Sequence, residues 1–562
     1  MHGWLDHVIT AGIFFLVLFT PLAFGSVHPW AFSSLEVFLF LFFTIWMIKL
    51  TFLSGWENRG IDGIRSLINL PSLLLPIVLF ITFVAFQLVP LPPPLLRILS
   101  PSTYEVYQKS LPGWPEKTPY TDLVYAQEAS PKSPGSVTWT LLPTLDEIRR
   151  GARVPFIESD RNARSEPPSG SFSTASWLPI SIAPSLTKTD LLKFIAYACL
   201  FFLVLLYPLG KLDQRRVSPN ETLRHNANFA RSILLMVLFS GLLIAALGIV
   251  QTFSWNGKIL WFFEPYDGGI PGPGQIPRAS GPFINPAQFG NYLGLIFFLA
   301  LAGAIFPTFI PLRGTEEGFR LFCGVIALVL LSAMLLSLSR AAWIATVVGL
   351  TFFLSAFVRL PEARRSALLW SDRKLAVFLF VLGLSLLLLL SLFLIGSQGS
   401  RQVGARLEET ITQDLGLFGR SRIWLASLQM FRDFPIFGVG LGAWPDLFPR
   451  YKSPPWIPYF YREAHNDYVE LLAETGVIGF GLLAFFFWRC GKMLLSDAGR
   501  IPAKFFSVYA ALLSALVTMV VHELFDFNLQ VPANAFLFTL ILALALRLKS
   551  SFRFGEFDGF AV

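Results

Sequence analysis

The sequence predicts an all-α polytopic membrane protein of about twelve transmembrane helices with a large folded external loop. Of the 562 residues, 54% are hydrophobic and only 14% charged, and the mean hydropathy is +0.60, which fits no ordinary set of soluble domains. Apolar runs of about 17 to 22 residues recur from one end to the other, each long enough to cross roughly 30 Å of hydrocarbon as a helix. Open sheets are excluded there, because their unpaired backbone groups would face lipid. Aromatic residues reach 15%, with 57 Phe spread through the runs and many Trp and Tyr near their ends, as interfacial belts require.

The predicted spans are roughly 8–24, 31–50, 71–89, 190–208, 231–251, 288–311, 321–338, 341–358, 376–395, 467–488, 505–522 and 531–547. The first has no basic segment before it, and Phe24-Gly25-Ser26-Val27 is a poor cleavage site, so it reads as a retained helix. With the N-terminus inside, alternate loops are basic. Lys211, Arg215, Arg216 and Arg224 share one, Arg359, Arg364, Arg365, Arg373 and Lys374 another, Arg489, Lys492, Arg500 and Lys504 a third, and Arg547, Lys549 and Arg553 the tail. The short loops 25–30 and 523–530 on the opposite side contain no Lys or Arg. This is the positive-inside pattern. The net charge of +8 therefore reflects orientation and not a nucleic-acid footprint. Cys199, Cys323 and Cys490 form neither a disulfide framework nor a zinc spacing.

On this reading the chain comprises N-terminal transmembrane helices (1–89), an external Pro/Ser-rich insert (90–187), central transmembrane helices (188–395), an external loop (396–466), and C-terminal helices with a cytoplasmic tail (467–562). The insert opens with Pro90-Leu91-Pro92-Pro93-Pro94 and is polar enough around Arg149 to Gly170 to be loosely structured. The external loop mixes arginines with Trp424, Trp444, Trp456 and many glycines and prolines, the composition of a folded binding loop.

Few ionisable residues lie deep in the spans, Glu36 and Lys193 being among the exceptions, and no paired relay of charges runs through them as in coupled transporters. The chemistry gathers instead at external helix ends. Ser339-Arg340 interrupts a long apolar stretch, so the chain must turn there. Arg340 fits either a snorkelling anchor or a guanidinium facing an anionic headgroup. Trp424, Leu428 and Phe431 follow at helical spacing up to Asp433-Phe434-Pro435, which predicts a short amphipathic helix with Arg422 near its N-terminus. Solvated arginines or an anion site both suit it. Gly438-Val439-Gly440-Leu441-Gly442 lacks the strand and the Lys-Ser/Thr of a nucleotide loop and reads as a tight turn that lets backbone approach something. His465, one of six histidines, sits at the entry to a span, as a structural residue or a general base. A metal cluster of Glu463, His465 and Asp467 is disfavoured, because residues two apart on a helix do not share a face. Glu474 lies two turns into the span, where a nearby cation is its expected partner.

Together these residues resemble the O-antigen ligase and Wzy polymerase superfamily. The matches are Gly281-Pro282-Phe283-Ile284-Asn285-Pro286, Ser339-Arg340-Ala341-Ala342-Trp343, Gly419-Arg420-Ser421-Arg422 through Gly438-Val439-Gly440, and Ala464-His465-Asn466-Asp467-Tyr468 with Glu474-Thr475-Gly476. They extend weakly to Phe525-Asp526-Phe527 near Pro532. The resemblance implies a glycosyltransferase C-like helical fold, and transfer of a glycan from undecaprenyl diphosphate to lipid A-core or another growing glycan at the outer face of a bacterial inner membrane. It further implies that Arg340 and Arg422 bind the diphosphate and His465 activates the acceptor hydroxyl. Arg420 competes with Arg422, and Arg420, Arg278, Asn285, Asn466 and Glu474 are the expected substrate-binding residues. No nucleotide, cofactor or metal is expected, since the first external loop, Gly25-Ser26-Val27-His28-Pro29-Trp30, carries no carboxylate. A polymerase is the nearest alternative. A solute transporter would show midplane charge pairs and internal repeats, and a glycan-binding scaffold would tolerate loss of His465.

Overall fold

The structure, a computed structural model, describes residues 2–49, 51, 70–115, 176–207, 219–264, 278–305, 316–358, 417–452, 460–496, 501 and 503–552. Among these residues it is helical throughout, with no strand beyond isolated bridges. The helices are α1 (His2–Leu22), α2 (Pro29–Ile48), α3 (Leu70–Gln87), α4 (Pro93–Leu99), α5 (Pro101–Ser110), α6 (Pro184–Leu206), α7 (Pro219–Phe253), α8 (Pro286–Ile305), α9 (Glu316–Leu336), α10 (Arg340–Val358), α11 (Leu417–Asp433), α12 (Asp467–Leu495), α13 (Ala503–His522) and α14 (Pro532–Phe552). Several begin on proline, whose fixed φ suits the first helical position and whose missing N–H is not needed there.

Among the described residues ten helices are long and apolar enough to cross a membrane, and a further apolar helix, Ser72–Gln87, is shorter. The expected span at 376–395 lies outside the described residues. The protein is an all-α polytopic membrane protein.

The chain forms two compact units, Met1–Leu88 with Ser181–Val562, and Val89–Ile180. In the smaller unit Leu91 pairs with Leu178, and the buried Trp114 indole donates to the Ser176 carbonyl at 2.8 Å. The Tyr107 hydroxyl donates to Pro179 at 3.1 Å, so the two described ends of the insert share a small core of their own.

The larger unit is built around α8, which is buried from Ala287 to Ala304. Lipid would satisfy its apolar residues, but Asn291 and Tyr292 need polar partners, which neighbouring helices supply: Asn291 meets the Met519 sulfur at 2.9 Å and the Tyr292 hydroxyl meets Ser240 at 2.9 Å. Small residues let those helices close in, as membrane helices without a hydrophobic drive to associate require. A Cβ on Gly290 would lie 3.0 Å from Ala342, and one on Gly294 3.2 Å from the Thr346 hydroxyl. Gly349 of α10 packs on Thr518 of α13, and Phe357 meets Phe506 at 5.4 Å, so these two helices run antiparallel. The other face of α10, with Ile344, Val347, Leu354 and Val358, is exposed and apolar, as a lipid-facing surface must be.

At one end of this unit Asp6 is buried with Lys49 and accepts from the Tyr207 hydroxyl, while the buried Arg547 donates to the Val204 carbonyl at 2.9 Å. The opposite end collects the starts of α8, α10, α12 and α14 and the finish of α13.

Candidate functional site

The site is organised by the loop Glu523–Val531 between α13 and α14. Its backbone is held by carboxylates: Glu523 Oε2 accepts from the amides of Asn528 at 2.9 Å and Leu529 at 3.4 Å, and Asp467 Oδ2 accepts from Leu529 at 3.1 Å. The turn before α12 is equally constrained. Glu470 accepts from the Ala464 amide and from Gln530, each at 2.6 Å, and the Trp424 indole donates to the Ala464 carbonyl at 3.1 Å. Asn466 caps α12 by accepting from the amides of Tyr468 and Val469, both at 3.1 Å, and its amide donates to the Leu524 carbonyl at 3.1 Å.

His465 is held between these two loops. Its φ of +54° is in the left-handed region, uncommon for a residue with a side chain and maintained only where the surroundings over-determine it. The imidazole Nδ1 lies 3.4 Å from Asp526 Oδ1, and the ring packs edge-on to Phe527 at 5.0 Å. His465 is 28% exposed on its side chain and Asp526 only 1%, so the pair has one wet and one dry member. Burial pushes the Asp526 carboxyl up, but the His465 hydrogen bond and the charge of Arg420 outweigh it, holding the group below the ordinary carboxylate range. The dyad is thus a histidine backed by an ionised carboxylate.

Arg420, in the first turn of α11, donates to the Phe525 carbonyl. Arg422 is two residues further on, so its guanidinium leaves the helix on a different side, where it is exposed. The helix begins at Leu417, earlier than expected, which moves Arg422 out of the first turn. Its buried side is Ile423, Ala426, Ser427 and Met430, whereas Leu428 is 41% exposed. The Trp424–Leu428–Phe431 stripe is therefore not the packed face. Ser427 is drawn in because its hydroxyl receives the Trp444 indole at 2.9 Å.

Arg340 is the first residue of α10 and is exposed, with Ser339 capping the helix through the Ala342 amide at 3.3 Å. A cation at this position adds to the positive end of the helix dipole instead of offsetting it, which suits an anion above it. Nine residues separate Arg340 from Gly349, about 13.5 Å of helix. Because Gly349 faces Thr518 in the antiparallel α13, Arg340 lies at the end of the bundle where α13 finishes. Arg278 braces the turn before it, donating to the Ser337 carbonyl at 2.8 Å.

Two expected substrate-binding residues have structural duties here. Asn285 Oδ1 accepts from the Ala287 amide at 2.9 Å at the start of α8, and Asn466 is the cap of α12. Substituting Asn466 by Ala should cost about 1 kcal/mol for the cap and a similar amount for the Leu524 bond, read as a lowered unfolding temperature in detergent.

Glu474, expected beside a cation, takes a backbone amide among the described residues. It is buried, and its Oε1 accepts from the Trp444 amide at 3.1 Å. The cause is the glycine loop. α12 breaks at Gly476, with φ +60°, and the freed backbone is taken up by the chain around Gly438. Val439 and Gly440 donate to the carbonyls of Ala473 and Glu474 at 3.1 and 3.0 Å, and Val477 donates to Pro435 at 2.8 Å. The Gln87 amide bridges the Phe437 and Glu474 carbonyls at 2.7 and 3.1 Å. The approach that the glycines permit is to this broken helix.

Asp526 and Glu523 were not among the expected residues. Phe525-Asp526-Phe527 near Pro532 was their only trace in sequence. Burial, the largest effect, pushes the Glu523 carboxyl up to about 7 from an ordinary value near 4.5, against the hydrogen bonding of Asp467 and the loop amides. Between those two values the folded protein holds a proton that the unfolded chain has released, so this group makes stability fall as pH rises through the window. Glu523→Gln, which keeps an acceptor for the loop amides, should flatten that slope, giving a higher unfolding temperature relative to wild type at pH 8 than at pH 5. Glu463, pushed to about 7 chiefly by burial, contributes a remaining slope of the same sign. Among the described residues no group of three or more His, Cys, Asp or Glu side chains is arranged to hold a metal ion.

A polytopic helical membrane protein with a histidine–carboxylate pair and arginines at one end of its bundle is the class defined by these features. Residues 325–484 match the family model described as O-Antigen ligase, which supports a likeness to the O-antigen ligase and Wzy polymerase superfamily. The matched stretch includes Arg340, Arg420, Arg422, the glycine loop, His465 and Glu474, and ends before Asp526. No curated protein matches the chain.

Proposed function

We propose that this protein transfers a glycan from undecaprenyl diphosphate to an acceptor hydroxyl, in the manner of an O-antigen ligase acting on lipid A-core or a similar glycan. The observation that carries the reading is the pairing of His465 with the buried, ionised Asp526, beside Arg420 and at the end of the bundle that also holds Arg340. Asp526 sits at Nδ1, which leaves Nε2 as the basic atom and stabilises the imidazolium that forms. The 3.4 Å separation is long, as such contacts often are without substrate.

In the proposed step the acceptor oxygen forms a bond to the anomeric carbon while the bond from that carbon to the diphosphate oxygen breaks. The bonding pair leaves with the diphosphate, and the acceptor proton passes to His465. Guanidiniums already in place meet the charge growing on the leaving oxygen, each charge-assisted contact being worth about 1.5 to 3 kcal/mol. Arg420 and Arg340 take this role, with Arg422 at the rim. Arg420→Lys should impair transfer more than Arg422→Lys, because lysine offers only a point charge in place of a planar fork. Initial rates at saturating donor check this, and equal losses would return Arg422 to the centre.

The reading places the site on the periplasmic face of a bacterial inner membrane with both termini cytoplasmic. The positive-inside pattern and the position of Lys49 and Arg547 at the far end of the bundle support it. Metal independence is part of the proposal, resting on a first loop, 25–30, without carboxylates. The test is purified protein supplied with lipid-linked oligosaccharide and either lipid A-core or a second lipid-linked chain, with and without EDTA. Glycan on lipid A-core, insensitive to EDTA, is expected. Lengthened lipid-linked product would make the protein a polymerase of the same chemistry, and transfer to neither would remove the enzyme reading.

A further inference from the structure

Asp467 and Glu523 meet on a single amide. The Leu529 N–H has Asp467 Oδ2 at 3.1 Å and Glu523 Oε2 at 3.4 Å, and Glu523 Oε2 takes the Asn528 amide as well. The other oxygen of each group, Asp467 Oδ1 and Glu523 Oε1, is shut off from solvent, and no amide, hydroxyl or cation among the described residues donates to it. The two side chains lie instead within hydrogen-bonding reach of each other. Ionised carboxylates only accept, so a bond between them exists only while one of them carries a proton.

The surroundings favour that proton. Glu523 is fully buried, and further carboxylates crowd the pair, Glu463 acting on Asp467 and Asp526 on Glu523. Tyr468 and Glu470 of α12 face it too, while on the far side His522 and Arg420 act on Asp526. α8 and α14 bring amides only, the Asn534 side chain donating to the Gln288 carbonyl at 3.1 Å and to Asn528 Oδ1 at 3.4 Å. Two negative charges side by side in a dry site are costly, and one shared proton removes that cost.

The position of the pair gives it a role. Asp467 stands two residues after His465 and Glu523 three before Asp526, and the Asp467 amide donates to the Glu523 carbonyl at 3.3 Å. The pair thus ties the turn that carries the imidazole to the loop that carries its carboxylate. The His465–Asp526 contact is already 3.4 Å, and a further displacement of about 1 Å would end it.

We propose that Asp467 and Glu523 share one proton and act together as positioning residues for the His465–Asp526 dyad, clamping its two loops to each other. The proposal rests on reading that dyad as the acid–base pair of glycan transfer. Loss of the proton leaves two facing charges that push the loops apart, so the clamp is present at low pH and is lost as pH rises through the titration of the pair.

The test uses the full chain in nanodiscs. At about pH 7, wild-type minus variant infrared spectra should show one protonated carboxyl, with the same intensity for Asp467→Asn, Glu523→Gln and the double variant, because one proton serves both groups. Hydrogen exchange of the Glu523–Val531 amides, corrected for its intrinsic pH dependence, should quicken severalfold between about pH 7 and about pH 9 in wild type. It should stay slow in Glu523→Gln, whose amide donates to Asp467 at any pH. In the transfer assay the wild-type kcat should fall severalfold over the same range with little change in KM. Glu523→Ala should lower kcat about tenfold or more at both pH values, and Glu523→Gln should recover most of that loss and flatten the fall. A double variant with twice the infrared change, no infrared change at all, or a Glu523→Gln protein whose exchange follows wild type with pH would each overturn the proposal. A wild-type protein that transfers no glycan would refute the reading of the dyad, and the infrared and exchange results would still decide the clamp.

Discussion

His465→Ala should lower the rate of glycan transfer by about 10² to 10⁴, the usual contribution of a positioned general base. The protein should still insert and unfold near the wild-type temperature, because the turn around residue 465 is held by Glu470, Trp424 and Asn466 and not by the imidazole. Asp526→Asn should give a smaller loss of the same kind. It keeps the shape but removes the negative charge that supports the imidazolium as it forms, so the rate should fall while the unfolding temperature stays near wild type. A scaffold that merely binds glycans would keep its function in both variants.

Gly438→Ala should be the most damaging small substitution for folding. The new Cβ would fall 2.2 Å from the carbonyl carbon and oxygen of Glu474, and the φ of +71° disfavours any side chain. The left-handed conformation alone costs roughly 1–2 kcal/mol. The clash is with backbone that is already hydrogen-bonded to Gln87 and Gly440, so it has no cheap relaxation. A total above about 4 kcal/mol is expected, in the range of the severest single substitutions. The measurement is the yield of monodisperse protein in detergent, with Gly481→Ala as control, where a Cβ meets nothing within 4 Å and the helix gains about 1 kcal/mol.

The helices were legible in the sequence because lipid imposes a simple rule, about twenty apolar residues per crossing. The Lys and Arg asymmetry of the loops supports the proposed orientation by a separate rule, the retention of basic loops on the cytoplasmic side. The site was legible only in part. Arg340 and His465 stand out because a charged or titratable group beside an apolar run is costly enough to need a reason. Asp526 was hidden, since its partner lies 61 positions away and is met only after α12 and α13 have crossed the bundle. The choice between Arg420 and Arg422 depends on helical phase, which their identical chemistry conceals. The backbone partner of Glu474 was hidden for another cause: the break at Gly476 exposes amides and carbonyls that no helical reading of that segment includes. The packed face of α11 was not legible, because Ser427 looks polar in sequence and is buried in the fold, where its hydroxyl accepts from the Trp444 indole.

The measurement that bears most directly on the proposed chemistry is the release of undecaprenyl diphosphate when purified protein is given lipid-linked glycan and acceptor with no nucleotide present. One diphosphate freed for each glycan moved, with both signals lost together in His465→Ala, is the expected result. Glycan transfer without matching diphosphate release, or transfer that proceeds only from a nucleotide sugar, would contradict it.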